Sequence, residues 1–190
     1  LEIRRQLAGS YKAALIGWQE GSPTAGLEDE TFIQITQFDA LNRMRRLFNW
    51  HQGSGSRVTV YEPTYNRRGL LESEELVVGA VKTADTQGYA ENSNSQRTTP
   101  LQALTYNAKG QREKIRYGNN TITRYHYDPQ TFRLKQLRTT RPGYEPPFQS
   151  SPTLLSDDQV LQNLYYTYDP AGNVVEIQDD AYEPVFFKNQ

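Results

Sequence analysis

The chain has 190 residues, a net charge of −1 at pH 7, 36% hydrophobic and 23% charged residues, and no cysteine. This composition excludes disulfides, thiolate catalysis and cysteine metal sites, argues against nucleic acid or an anionic membrane as main partner, and is not that of a disordered chain. No apolar run approaches the ~18 residues of a membrane span, and the excess of Tyr (13) over Phe (7) and Trp (2) suits half-buried sheet surfaces.

Taken in order, residues 1–18 read as two strand-like stretches with a turn at Ala8-Gly9-Ser10, and residues 20–26 as a loop. Phe32 to Met44 reads as a strand, an Asp-Ala-Leu-Asn turn and a returning strand, and Gln52 to Ser56 as a flexible link. Val58 to Leu71 spells the same hairpin with Asn in place of Asp. Residues 84–99 are polar and rich in Gly, Asn and Ser, so they are expected to form a long exposed loop. Two more hairpins follow directly, around Tyr106 and Tyr127, and then a second expected loop insertion over 141–156. Ser156-Asp157-Asp158-Gln159 could cap a short helical turn. The last hairpin, residues 165–177, is the clearest: Tyr-Tyr-Thr-Tyr, then Asp-Pro-Ala-Gly, then a β-branched run. The chain opens without Met and stops in a strand-like run at Val185 to Lys188, so an internal piece of a longer protein is expected.

The repeated unit is an aromatic followed by Asp or Asn and, three residues on, Gly or a substitute. It occurs at Phe38-Asp39, Tyr65-Asn66 with Gly69, Tyr106-Asn107 with Gly110, Tyr127-Asp128, and Tyr168-Asp169 with Gly172. The Asp/Asn side chain can accept backbone N–H bonds inside its turn, and Gly tolerates the left-handed backbone that follows. Asn42 stands in for Gly in the first copy; Thr131 occupies that position in the fourth, whose loop reads one residue longer and needs a different turn geometry. The aromatic positions lie 27, 41, 21 and 41 residues apart, and such periods indicate a repeat architecture. The expected fold is all-β, a strip of antiparallel hairpins over 1–190 whose open edges lie only at its ends.

Chemical sites have competing readings. Tyr-Asp/Asn pairs could bind glycan through ring stacking and carboxylate hydrogen bonds, but recurrence in one register favours a role in their own turns. Asp157-Asp158 and Asp179-Asp180 are sequence neighbours, so in a strand each pair points to opposite faces and cannot act across one sugar. His51 and His126 lack triad or metal-ligand spacing. The basic runs at Arg43 to Arg46 and Arg67-Arg68 read as solvated edges that discourage strand addition rather than a site for an acidic partner. Asn119-Asn120-Thr121 is a glycosylation sequon if the chain is secreted from a eukaryote. No catalytic, cofactor or metal residue emerges.

The Tyr-Asp-x-x-Gly hairpins resemble the YD repeats of RHS proteins. Tyr106 to Glu113, Tyr117-Gly118-Asn119, Tyr127 to Leu134, and Tyr166 to Val174 continuing to Asp179-Asp180-Ala181 and Phe186 to Gln190 are similar to the B component of bacterial insecticidal toxin complexes. Phe38 to Arg43 fits the same pattern more weakly. The resemblance implies a secreted complex in which B and C components wind YD-repeat sheet into a hollow shell around a cytotoxic polypeptide. It implies as partners the other YD-repeat segments of the same chain, the C component and the enclosed toxin polypeptide. Neither the family's self-cleaving aspartate site nor its docking β-propeller has a counterpart here, so this stretch would be wall, without catalysis or cofactor. The alternative is a carbohydrate- or receptor-binding YD-repeat module.

Overall fold

A computed structural model of the chain describes residues 1–8, 27–85, 88–149 and 158–182. Expected features at 9–26, 150–157 and 183–190 lie outside the described residues. Twelve strands occur, every assigned pairing is antiparallel, and no helix appears among the described residues.

Two compact units divide the chain. The first takes residues 1–64 and 74–98, the second 65–73 and 99–190. In the first, β1 (Glu2–Ala8), β2 (Leu27–Phe38), β3 (Met44–His51), β4 (Arg57–Tyr65) and β5 (Leu71–Lys82) lie side by side in chain order, and β6 (Tyr89–Ala90) pairs with β5. The second holds β7 (Gln96–Tyr106) from Thr99 onward, β8 (Arg112–Tyr117), β9 (Ile122–Tyr127), β10 (Leu134–Thr140), β11 (Val160–Tyr168) and β12 (Val174–Asp179), again in chain order. This is hairpin following hairpin, because short turns can join only antiparallel neighbours.

The core of the first unit is Phe48, Val58, Val60, Val77 and Ala80, with Ile35 and Tyr89 packed against it. Burial of each larger side chain contributes about 1.5–3 kcal/mol. In β5 the strand alternation slips at Gly79, which has φ +76° and would place a Cβ 2.9 Å from the Arg57 guanidinium. That single left-handed residue lets Val77 and Ala80, three apart, both face inward. In the second unit Leu101, Leu104 and Ile115 are buried, with Leu71, Tyr106, Tyr117 and Tyr125 around them.

Residues 84–99 differ from the expected loop. Tyr89 meets the edge of the Phe48 ring at 6.1 Å and donates its hydroxyl to Glu62 at 3.0 Å. One aromatic anchor therefore draws β6 into the sheet, and β7 begins at Gln96 inside the expected loop. Composition alone hid this, because the polar residues around Tyr89 outnumber it. Residues 141–149 carry no regular structure, yet they lie against one sheet face, where Arg124 and Arg138 donate to the Pro146 carbonyl.

Candidate functional site

The chemistry-bearing residues gather at the hairpin turns. In each turn the Asp or Asn backbone N–H donates to the carbonyl of the residue just before the returning strand: Asp39 to Arg43, Asn66 to Leu70, Asn107 to Gln111, Asp128 to Arg133 and Asp169 to Asn173. Its side-chain Oδ1 then accepts two backbone N–H groups from the turn at 2.7–3.1 Å, for example Arg68 and Leu70 on Asn66, and Gly172 and Asn173 on Asp169. The left-handed residue is Asn42, Gly69, Gly110 or Gly172, three positions after the Asp/Asn. In the longer fourth loop it is Phe132, four positions after Asp128, and not Thr131. Thr131 instead gives its N–H and its hydroxyl to the Asp128 carboxylate. The carboxyls of Asp39, Asp128 and Asp169 are held below the usual aspartate range; the leading cause is the Arg43 side chain for Asp39, the Thr131 N–H for Asp128 and the Asn173 side chain for Asp169.

The tyrosines reach outward from their own turns. Tyr106 donates its hydroxyl to the carbonyl of Leu71, Tyr127 to that of Arg112, and Tyr168 to that of Leu134, each at 2.9 Å. In all three cases the acceptor is the first residue of the returning strand in the preceding hairpin: β5, β8 or β10. Burial raises the Tyr106 and Tyr127 hydroxyls above the ordinary tyrosine value. Phe38 occupies the same motif position without a hydroxyl to give.

A second tie, which the sequence analysis did not find, runs beside the first. Arg68 donates to the carbonyls of Asn107 and Ala108, Gln111 to that of Phe132, and Arg133 to that of Asp169. The Arg133 guanidinium also lies 5.5 Å from the Tyr168 ring centroid. The available signal was a long donor side chain within or just after each turn.

The other candidate residues do not assemble. His51 is buried beside Phe48 with Nδ1 on the Asn49 carbonyl, whereas His126 stacks on Phe148. Asp179 accepts the Asn163 and Ala181 N–H groups, and Asp180 accepts the Gln178 amide. Asp158 sits in a turn whose carbonyl accepts Arg141; Asp157 lies outside the described residues. In the sequon, Asn119 Oδ1 accepts the Thr121 N–H and hydroxyl. Arg43 pairs with Asp39 and Arg46 with Glu62, while Arg68 makes the tie above. Among the described residues no group of three or more His, Asp or Glu is placed to hold a metal, and no helix is long and apolar enough to cross a membrane.

The hairpin sheet and its turn row define a class, the YD-repeat proteins. No protein-family model matches the chain. It is 37% identical over 138 residues to the toxin subunit YenC1 of Yersinia entomophaga, covering 67% of this chain and 13% of that protein. To the toxin subunit YenC2 of the same organism it is 39% identical over 90 residues, covering 47% and 8%. Solved structures agree: TcdB2-TccC3 without its hypervariable C-terminal region superposes with a TM-score of 0.68 at 25% identity, over 97% of this chain and 7% of that one. The Photorhabdus luminescens Tc holotoxin pore gives 0.67 at 26% identity, over the same shares. The chain is an RHS/YD-repeat protein, homologous to the YenC toxin subunits and built like the RHS shell of Tc toxin complexes. It spans only a small part of the length of these relatives.

Proposed function

We propose that this chain is a wall segment of a YD-repeat shell that encloses and carries a cytotoxic polypeptide in a secreted toxin complex, with no catalysis of its own. The observation that carries the reading is the use of the tyrosine hydroxyls. Tyr106, Tyr127 and Tyr168 each bond to a carbonyl of the hairpin before them. The motif residues Phe38, Asp39, Tyr65, Asn66, Gly69, Tyr106, Asn107, Gly110, Tyr127, Asp128, Tyr168, Asp169 and Gly172 are on this reading the building unit of a wall: Asp or Asn closes a turn, and tyrosine ties it to its neighbour. A glycan-binding module needs those hydroxyls and carboxylates free to meet sugar hydroxyls, whereas here the Tyr106, Tyr127 and Tyr168 hydroxyls bond to backbone carbonyls and the Asp39, Asp128 and Asp169 carboxylates to their own turns.

The motif spelling resembles that of a B component, whose partner would be the C component. The curated relatives are named YenC1 and YenC2, and a C-type chain takes the B component as its partner. Either way the remaining partners are further YD-repeat segments of the same chain and the enclosed polypeptide, and 141–156 is an insertion in the wall.

The test is protease protection in the full-length parent assembly. The enclosed polypeptide should resist a protease that digests it when free, and Ile115→Pro, which breaks β8 in the wall, should expose it. Digestion at the same rate inside and outside the intact assembly overturns the reading, as does a saturable glycan ligand for this segment.

A further inference from the structure

Residues 144–149, Tyr-Glu-Pro-Pro-Phe-Gln, form a strap across one face of β8 to β11. Cross-strand partners define that face: Lys114 lies opposite Arg124, Arg124 opposite Arg138, Arg138 opposite Asn163, and Gln136 opposite Tyr165. The strap meets them in order along its length. The Glu145 carboxylate pairs with Lys114 at 2.6 Å. Arg124 donates to the Pro146 carbonyl at 2.9 Å, and Arg138 to the carbonyls of Pro146 and Pro147 at 3.3 and 2.9 Å. The Phe148 ring stacks on His126 with centroids 5.0 Å apart, and the Arg124 and Arg138 guanidinium carbons lie 4.8 and 5.4 Å from its centroid. Gln149 accepts the Tyr165 hydroxyl at 3.4 Å.

This is the arrangement of a bound peptide. Consecutive prolines hold an extended backbone without N–H groups, so their carbonyls are the handles a receptor can grip. Two arginines grip them, a lysine takes the acidic residue, and a cationic-aromatic pocket takes the phenyl ring.

What lies under the strap argues that it can lift. Gln136, Arg138 and Asn163 are only 1%, 2% and 0% exposed, and among the described residues Gln136 Oε1, Arg138 Nη2 and Asn163 Nδ2 meet no hydrogen-bond partner. Water competes well for such groups, so uncovering them costs far less than uncovering an apolar core.

We propose that the Lys114, Arg124, His126, Arg138 face is a recognition site for an extended polypeptide segment bearing an acidic residue, two prolines and an aromatic in succession, and that the chain's own 144–149 holds it closed against such a partner. The cationic face complements an acidic segment, and the seated strap gives its sequence.

The probe is a fluorescein-labelled peptide of residues 143–149, followed by fluorescence anisotropy on the full 190-residue chain. Phe148→Ala, which empties the aromatic pocket, should bind it saturably. The unmodified chain should bind at least about 10-fold more weakly, because its own strap competes at high effective concentration. Adding Arg124→Ala to Phe148→Ala should abolish binding, and a peptide with Ala for Phe should not bind. No saturable binding to a Phe148→Ala chain that keeps the parent circular dichroism overturns the proposal; so does equal binding of the two peptides. If Phe148→Ala does not fold, Glu145→Lys, which sets like charge against Lys114 at the exposed end of the strap, serves in its place. Unfolding of both makes the strap a structural member and also overturns the proposal. A dimer formed by strap exchange in the unmodified chain, seen by sedimentation, assigns the face to a second copy and overturns it too.

Discussion

Each repeat divides its labour between two neighbouring side chains. The Asp or Asn works within about four residues of itself, accepting N–H groups that a tight turn cannot pair otherwise. Asn performs this at 66 and 107 and Asp at 39, 128 and 169, because both offer the Oδ1 acceptor. The difference between them appears in acid. The three aspartates have folded-state carboxyl pKa values below the ordinary one. As pH falls the unfolded chain therefore binds protons first. Their stabilising contribution is complete above about pH 4, near the unfolded value, and is lost as pH drops through the folded values. The thermal midpoint should fall over that acid range. Replacing Asp128 and Asp169 together by Asn should leave the midpoint at neutral pH nearly unchanged and flatten its decline in acid. An unchanged acid slope in the double variant would assign that loss to other carboxylates.

Between elements, the tyrosine matters more than its turn partner. Tyr106, Tyr127 and Tyr168 span 35, 15 and 34 residues of sequence to reach their acceptors, yet use the same geometry. A Tyr→Phe substitution keeps the ring packing and removes only the hydroxyl. Each should cost about 0.5–1.5 kcal/mol, the net value of one such bond, read as a lower midpoint in urea with an unchanged slope. Tyr182→Phe provides the comparison: its hydroxyl meets the Leu161 carbonyl at 3.2 Å at an exposed position, so it should cost less. Equal losses at all four positions would deny the tie between hairpins any special weight. Lys82 shows an element closed by a different device. Its buried ammonium donates to the carbonyls of Thr83, Asp85 and Gly88 and faces the Phe48 ring, so one side chain closes the turn between β5 and β6.

For the molecule as a whole, stability is concentrated in a few apolar contacts. The first unit has five buried hydrophobic residues in its cluster, and Phe48 is the largest of them. Phe48→Ala should cost about 3–5 kcal/mol, a large share of the 5–15 kcal/mol typical of a folded protein. The calorimetric signal of that unit should then broaden or vanish at 37 °C. By contrast, Arg97 bridges Glu62, Glu75 and Glu91 with its side chain 39% exposed. Water and salt screen such pairs, so they add little. Among the described residues β12 pairs only with β11, and all its side chains are exposed, Val175 and Ile177 included. A sheet whose hairpins follow chain order can be extended without rearranging what is already paired.

The sequence by itself determined the all-β class, the five turn positions and the repeating unit, because turn chemistry is local: Asp169, Gly172 and Asn173 meet within five residues. It also showed that the fourth loop is longer, although only the backbone placed the left-handed residue at Phe132. Tertiary structure decided everything that depends on which strand lies beside which. The acceptors of the tyrosine hydroxyls, the Arg68, Gln111 and Arg133 ties, the recruitment of Tyr89 to the Phe48 core and the seating of 144–149 over Arg138 all join residues distant in sequence. Backbone carbonyls are their commonest acceptors, and a carbonyl has no side-chain identity to read from sequence.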